Sequence, residues 1–290
     1  MDIVSAVFGF FVPWEISPAA IALCGGALAL YVRGLHRTPR AHWPGIPRRI
    51  AFLAGITLIY LVMQTRFDYL SQHMFFVHRL QHLTLHHLAP FLVALSQPLA
   101  MIAAGASAGA RRAATTLWRW SVTRATYAVL QNAVVAPVLF VGLIGFWLTS
   151  RVHFYAMLSS PLYWVMNWSM LIDGLLFWIL ILDPRTRQGG ALLGFGARAL
   201  IVLAAMVPQI IIGAHITFSA HDLYDVYEIC GRVWSVDPLI DQRTGGLITW
   251  IPAAMMHAVA ALVLIARWAR ADTRHAKNAG QASSSPAAGA

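Results

Sequence analysis

The amino-acid sequence reads as an all-α, polytopic membrane helix bundle of seven transmembrane helices, N-terminus outside and C-terminus cytoplasmic. Three observations carry that reading. The chain is 59% hydrophobic and 11% charged, against about 25% charged in soluble domains, and its mean hydropathy is +0.64. Seven apolar stretches are long enough to cross a bilayer, or nearly so. Sixteen of the twenty-one Lys and Arg residues fall on alternate loops, which the positive-inside rule makes cytoplasmic.

The spans follow in order. The first, near 16–33, follows Trp14 and contains Cys24; Arg33, Arg37, Arg40, Arg48 and Arg49 come next. The second lies near 50–66. The third, near 83–104, contains Pro90 and Pro98 and leads to Arg111, Arg112, Arg119 and Arg124. The fourth, near 126–149, contains Pro137 and ends by Trp147, while the fifth, near 161–182, holds Asp173 and precedes Arg185, Arg187 and Arg198. The sixth, near 197–218, contains Pro208 and reaches His215. The seventh, near 247–268, contains Trp250, Pro252 and His257, and is followed by Arg267, Arg270, Arg274 and Lys277. Trp14, Trp147 and Trp250 sit near span ends as an aromatic belt does. Prolines inside spans kink helices and are tolerated where neighbours re-satisfy the freed carbonyls. Residues 1–269 make up the transmembrane domain, and 270–290, rich in Ala, Ser and Gly, a disordered cytoplasmic tail.

The +10 net charge is thus a topology signal and calls for no nucleic-acid partner. Two cysteines, one in a span and one in a loop, exclude a disulfide framework. No basic n-region precedes the first apolar residues, so no cleavable signal peptide is expected.

The feature that looks like chemistry is His73-Met74-Phe-Phe-Val-His78-Arg79-Leu-Gln-His82-Leu-Thr-Leu-His86-His87. Met74, His78, His82 and His86 recur every fourth residue, which on a helix makes one stripe with neighbours roughly 5–6 Å apart. Imidazole and thioether are metal ligands, and thioether favours Cu(I). The stripe is placed at the outer interface, on an accessible face. Arg79 and His87 point elsewhere, Arg79 toward lipid phosphate or a loop carboxylate. His215 and His257 are the residues on other spans that can complete a metal site, and His73 is a further local ligand. Asp173 is the one acid deep in a span and so a functional candidate, or else a hydrogen-bonded structural acid; Asn167, Gln131, Asn132 and Gln209 are its expected partners.

Two stretches resemble a known family. His78-Arg-Leu-Gln-His82…His86-His87-Leu-Ala-Pro90 with Gln97-Pro98, and Tyr224-Asp-Val-Tyr227 followed by Asp241-Gln242-Arg-Thr-Gly245-Gly246…Trp250, are similar to segments of the CtaG family. These are polytopic membrane factors implicated in assembling haem-copper cytochrome c oxidase. The resemblance covers roughly residues 50–268 and implies seven spans and a role in copper supply. Where relatives carry a second His-x-x-x-His pair on the fifth span, this chain has Tyr163 and Asn167, which shifts the burden to His215 and His257. Gly245-Gly246 permits a tight turn at the mouth of the seventh span. Asp241, with Gln242 beside it, either fixes a ligating imidazole or caps the helix starting near Gly246.

The sequence therefore predicts a non-enzymatic assembly factor of the plasma (inner) membrane, binding copper as Cu(I) and handing it on at the periplasmic face. Its expected partners are cytochrome c oxidase subunits, a periplasmic copper chaperone and membrane lipid. The alternative is a copper or proton transporter using Asp173 and His257.

Overall fold

A computed structural model describes residues 9–13 and 15–284, with side chains to residue 273. Trp14 and residues 285–290 lie outside the described residues. Thirteen helices are used below: α1 Pro18–Arg37, α2 Ile46–Gln64, α3 Arg66–His73, α4 Phe75–Ser96, α5 Leu99–Gly105, α6 Ala108–Arg119, α7 Ser121–Leu130, α8 Val135–Leu148, α9 Ser150–Leu158, α10 Ser160–Ile181, α11 Phe195–Phe218, α12 Val226–Cys230 and α13 Pro238–Ser284. Among the described residues there is no strand.

Five helices (α1, α2, α10, α11 and α13) are long and apolar enough to cross a membrane. The count reaches seven if two bent pairs each form one span: α4 with α5, bent by 70°, and α7 with α8, bent by 71°. The third and fourth spans, each expected as one span kinked at a proline, are these pairs. The first break has a local cause. Gln97 sits in the left-handed region at φ 53° and Pro98 follows, so the α4 hydrogen-bond ladder cannot continue. The last helix starts at Pro238, well before the expected span, and its backbone stays helical through Ser284, so the first part of the expected tail is helical.

Helix α4 is the hub, packing against α2, α10 and α13, while α11 and α13 pair along their length. Its course is irregular. Met74 is extended at φ −141° and separates it from α3. Leu83–Leu88 then form a π turn, which takes in one more residue than an α turn. Pro90 has no N–H to bond the carbonyl four residues back. That carbonyl, on His86, instead accepts from Trp178 Nε1 at 3.2 Å. Helix α10 comes this close because Gly174 lies against the π turn: a Cβ there would stand 3.0 Å from the His86 carbonyl carbon and Cα. The expectation that neighbours re-satisfy a proline-freed carbonyl holds here.

Several arginines of the basic loops also close helix ends. Arg198, fully buried, donates to the carbonyls of Asp183 and of Arg185 (2.8 Å), and Arg267 to that of Leu182 (2.6 Å). Cations are favourable at a helix C-terminus, here that of α10. Trp147, expected in an interfacial belt, is buried and donates to Ser169 Oγ at 3.0 Å.

Candidate functional site: a buried imidazole column

The histidine run lies inside the bundle. His78, His82, His86 and His87 are each at most 2% exposed, which overturns the expected accessible interfacial face. The reason is the hub position of α4, whose histidine-bearing faces meet other helices while Leu80 stays exposed. The π turn also divides the run, so the histidines form two layers.

The outer layer holds His78, His82 and His153. The His78 and His82 rings lie 4.3 Å apart, and the His78 and His153 rings 5.0 Å apart. His82 Nε2 is 3.1 Å from Asn167 Oδ1, and the Tyr163 ring is 6.1 Å from that of His78. The two α10 positions that depart from the His-x-x-x-His pattern thus face this layer. His153 donates from Nδ1 to the Trp147 carbonyl at 3.1 Å, and its Nε2 accepts from the Tyr227 hydroxyl at 3.0 Å. Burial holds its pKa down at about 3, so the ring is neutral near pH 7. Sequence reasoning missed His153, because a lone histidine in a short loop helix carries no periodic signal.

Arg79, expected to face lipid or a loop acid, is buried between the layers. Its Nε donates to Thr249 Oγ1 at 2.9 Å and its Nη1 to His82 Nδ1 at 3.4 Å. Among the described residues it has no salt bridge. A void of about 10 Å³ lies among Arg79, His82, His87, Gln209 and Thr249, close to the size of one water.

The inner layer holds His86, His87 and His257. His86 Nε2 pairs with Asp173 Oδ2 at 3.0 Å. His87, expected to point away, has its Nε2 3.2 Å from Gln209 Oε1. Its ring lies 5.0 Å from that of His86 and 5.6 Å from that of His257. His257 Nδ1 donates to the Ala253 carbonyl at 2.8 Å. Phe140 stacks on His86 at 4.0 Å and on Phe177 at 3.8 Å, and Trp178 lies 5.6 Å from His257. Beyond this layer, toward the α10 C-terminus, come Phe91, Ile181, Val202 and Ala260 of an apolar cluster. The acid deep in the fifth span therefore meets a histidine, and its expected partners are used elsewhere. Gln131 donates to the Leu176 carbonyl, Asn132 caps α8, and Asn167 and Gln209 meet His82 and His87.

Four candidate residues lie outside the column. Met74 is buried at the α3–α4 break, outside the helical register. His73 packs at a tilt against Tyr69, ring centres 4.2 Å apart, and donates to its carbonyl at 2.8 Å. His215 is exposed near the end of α11, in a cleft with Leu148 and Tyr224. Asp241 accepts from the backbone N–H groups of Phe75 (3.1 Å) and Phe76 (2.8 Å) and pairs with Arg232. It therefore caps α4, neither an imidazole nor its own helix. Gln242 accepts from Leu223 N at 2.6 Å and donates to the His221 carbonyl at 3.0 Å. Gly245 and Gly246 are within α13, where they permit close packing and make no turn. A Cβ at Gly245 would stand 2.5 Å from the Phe75 ring, and one at Gly246 2.7 Å from Thr217 N.

Residues 29–271 match the family model of the cytochrome c oxidase caa3 assembly factor. The chain belongs to the caa3 assembly factor family. It is also 27% identical over 287 residues to an uncharacterized protein of Mycobacterium leprae, covering 91% of this chain and 41% of that one. A similar protein of Mycobacterium bovis is 28% identical over 275 residues, covering 88% and 38%. The chain thus spans about two fifths of the length of these relatives. No solved structure matches it. In this member of the caa3 assembly factor family, the histidine segment and the Asp-Gln…Gly-Gly signature meet physically: Asp241 caps the helix that carries the column.

A cleft of about 20 Å³ lined by Glu15, Asp68, Tyr163 and Asn167 ends at the two α10 residues that face the outer layer. Asp68 accepts from Tyr163 Oη and Gln81 Nε2, both at 2.8 Å, and from Gln72 Nε2 at 3.0 Å. Burial pushes its pKa up to about 6, against the pull of those donors. Among the described residues no three His, Cys, Asp or Glu side chains converge as ligands of one ion. Several buried imidazole nitrogens nevertheless lack a hydrogen-bond partner: both of His78, Nδ1 of His86, Nδ1 of His87 and Nε2 of His257. Native interiors rarely leave such groups unpaired, and neutral imidazole nitrogens are good copper donors.

Proposed function

We propose that this chain serves cytochrome c oxidase assembly in the plasma membrane by carrying copper as cargo along the imidazole column, without catalysing a reaction of its own. The single observation that carries the reading is the set of buried, unpartnered imidazole nitrogens on His78, His86, His87 and His257. Each is a lone-pair donor or a ring N–H with nothing to bond, and a cation bound by lone-pair nitrogens would satisfy several at once. The cleft at Glu15 and Asp68 gives a cation an acidic approach to the outer layer, on the side that the arginine distribution marks as periplasmic. A periplasmic copper donor and the oxidase subunits are the partners this route needs.

The rival reading, transport across the membrane through Asp173 and His257, needs polar groups at successive depths. The two residues do belong to one layer, joined through His86 and His87. Past that layer the structure offers aromatic and aliphatic side chains, which favours retention and return over passage.

Deleting the protein should lower the activity and copper content of the haem-copper oxidase while its subunits are still made, with partial rescue by added external copper. His78→Ala should reproduce the deletion. A normal oxidase in His78→Ala, together with altered cytoplasmic copper in Asp173→Asn, would favour transport instead.

A further inference from the structure

Resting on the copper reading above, we propose that the inner layer, His86, His87 and His257, is the holding site for a monovalent ion, Cu(I), and that the outer layer only conducts it there. Ring support and charge point to the inner layer, and reach permits it.

The first is how each ring is held. Imidazoles that bind metals usually have their second nitrogen fixed by a carboxylate, a carbonyl or another polar group. His86 Nε2 meets Asp173, His87 Nε2 meets Gln209, and His257 Nδ1 donates to the Ala253 carbonyl. On each ring the remaining nitrogen is buried and unpartnered. In the outer layer His82 and His153 have both nitrogens engaged, and His78, with both nitrogens free, has no polar group to fix its ring.

The second is reach. A metal–nitrogen bond of roughly 2.0–2.1 Å places the ion about 3.2 Å from the ring centre. Two rings sharing an ion therefore have centres up to about 6.3 Å apart. The separations of 5.0 Å (His86–His87) and 5.6 Å (His87–His257) fall inside that limit. The nitrogens do not converge as they stand, so binding requires these rings to turn toward a shared ion.

The third is charge. Arg79 stands between the layers, near His82 and His87 alike, and its guanidinium is always protonated, so a cation held in either layer needs an anion beside it. Asp173 stands at the inner layer. One carboxylate balances one positive charge, and the Phe140, Phe177 and Trp178 rings keep the site dry, where an unbalanced second charge is costly. That selects Cu(I) over Zn(II) or Cu(II). Loading needs no redox step, because Cu(I) enters and leaves by exchange between neutral imidazoles.

The test uses full-length protein purified in detergent and handled anaerobically. Cu(I) affinity is measured by competition with bathocuproine disulfonate, and coordination by copper K-edge X-ray absorption. Wild type is expected to hold one Cu(I) with two or three nitrogen neighbours near 2 Å and to prefer it to Zn(II). His87→Gln and His257→Gln should each lower Cu(I) affinity by at least about a hundredfold, and Asp173→Asn by about ten- to hundredfold. Melting curves select variants that remain folded, with His257→Asn as the substitute for any that do not. Inner-layer variants of unchanged affinity, with His78→Ala and His82→Ala losing the ion, would overturn this assignment and leave the copper reading standing. A wild type that takes up no Cu(I), or takes Zn(II) equally well, would overturn the proposal, and the first result would remove the copper reading with it.

Discussion

Gly174→Ala adds one methyl group at the closest approach of α10 to α4. Its Cβ would lie 3.0 Å from the carbonyl carbon and Cα of His86 and closer still to the carbonyl oxygen. Carbon atoms in contact prefer about 3.5–4.0 Å, so the helices must part by roughly 0.5–1 Å. The obstacle is backbone on a π turn, which cannot rotate aside as a side chain can. Overpacking of this kind costs about 1–3 kcal/mol. Parting the helices also stretches the Trp178 Nε1 bond to the His86 carbonyl, now 3.2 Å, whose loss adds about 1 kcal/mol. Alanine returns about 1 kcal/mol in helix propensity. The net is about 2 kcal/mol, a roughly thirtyfold shift toward the unfolded state and a melting temperature lower by roughly 4–8 °C. The control is Gly142→Ala on α8, where a Cβ meets nothing within 4 Å; it should be neutral or stabilising by up to about 1 kcal/mol. Thermal melts of both variants in one detergent, followed by circular dichroism, decide the matter. Gly174→Ala melting at or above wild type would refute the reasoning.

Asp241→Ala removes the acceptor of two backbone N–H groups at the start of α4 and leaves Arg232 without its buried partner. It should cost about 2–4 kcal/mol by denaturant titration in mixed micelles, and a change under about 0.5 kcal/mol would contradict the capping role. Asp68 titrates at about 6 when folded, against its ordinary 3.8. Between those values the folded state binds more protons than the unfolded, so stability falls as pH rises from about 4 to 6 and is flat above. The span of roughly two units corresponds to about 3 kcal/mol. Asp68→Asn should flatten that window, and an unaltered pH profile would show that another group sets it.

Much of the bundle could be read from hydropathy, because each span must be apolar over its whole length whatever its neighbours are. The positions of α1, α2, α10 and α11 were legible for that reason. Pro98 and Pro137 marked the third and fourth spans for kinks, but how sharply the spans break was not legible, since it depends on local backbone geometry at Gln97 and near Asn132. The histidine run was legible as a cluster of metal-ligand chemistry but was misplaced at an interface. Hydropathy scores imidazole and guanidinium as surface groups, and only the packing of α2, α10 and α13 around α4 shows them buried. His87 was set aside on helical angle, an inference that assumes an unbroken α-helix through residues 83–88, while Arg79, which precedes that turn, was misplaced because the run was read as interfacial. Asn167 was singled out as a departure from the family pattern, and the structure places it against His82 all the same. The Gly-Gly pair suggested a turn because glycine serves both turns and close packing, and sequence alone does not separate the two uses.

The π turn of α4 has a consequence for how such chains are compared. Each residue of an α-helix advances the face by about 100°, so one residue accommodated in a wider turn offsets everything after it. His82 and His86 are four apart by count, yet one faces Asn167 beside the outer rings and the other Asp173 beside the inner ones. Residue spacing is then a poor ruler across 83–88, and direction has to be tracked separately on either side. A homologue that straightened this segment by dropping one residue would keep both layers only with its histidines three positions apart where this chain has four. A gap there would preserve the architecture that an ungapped alignment would break.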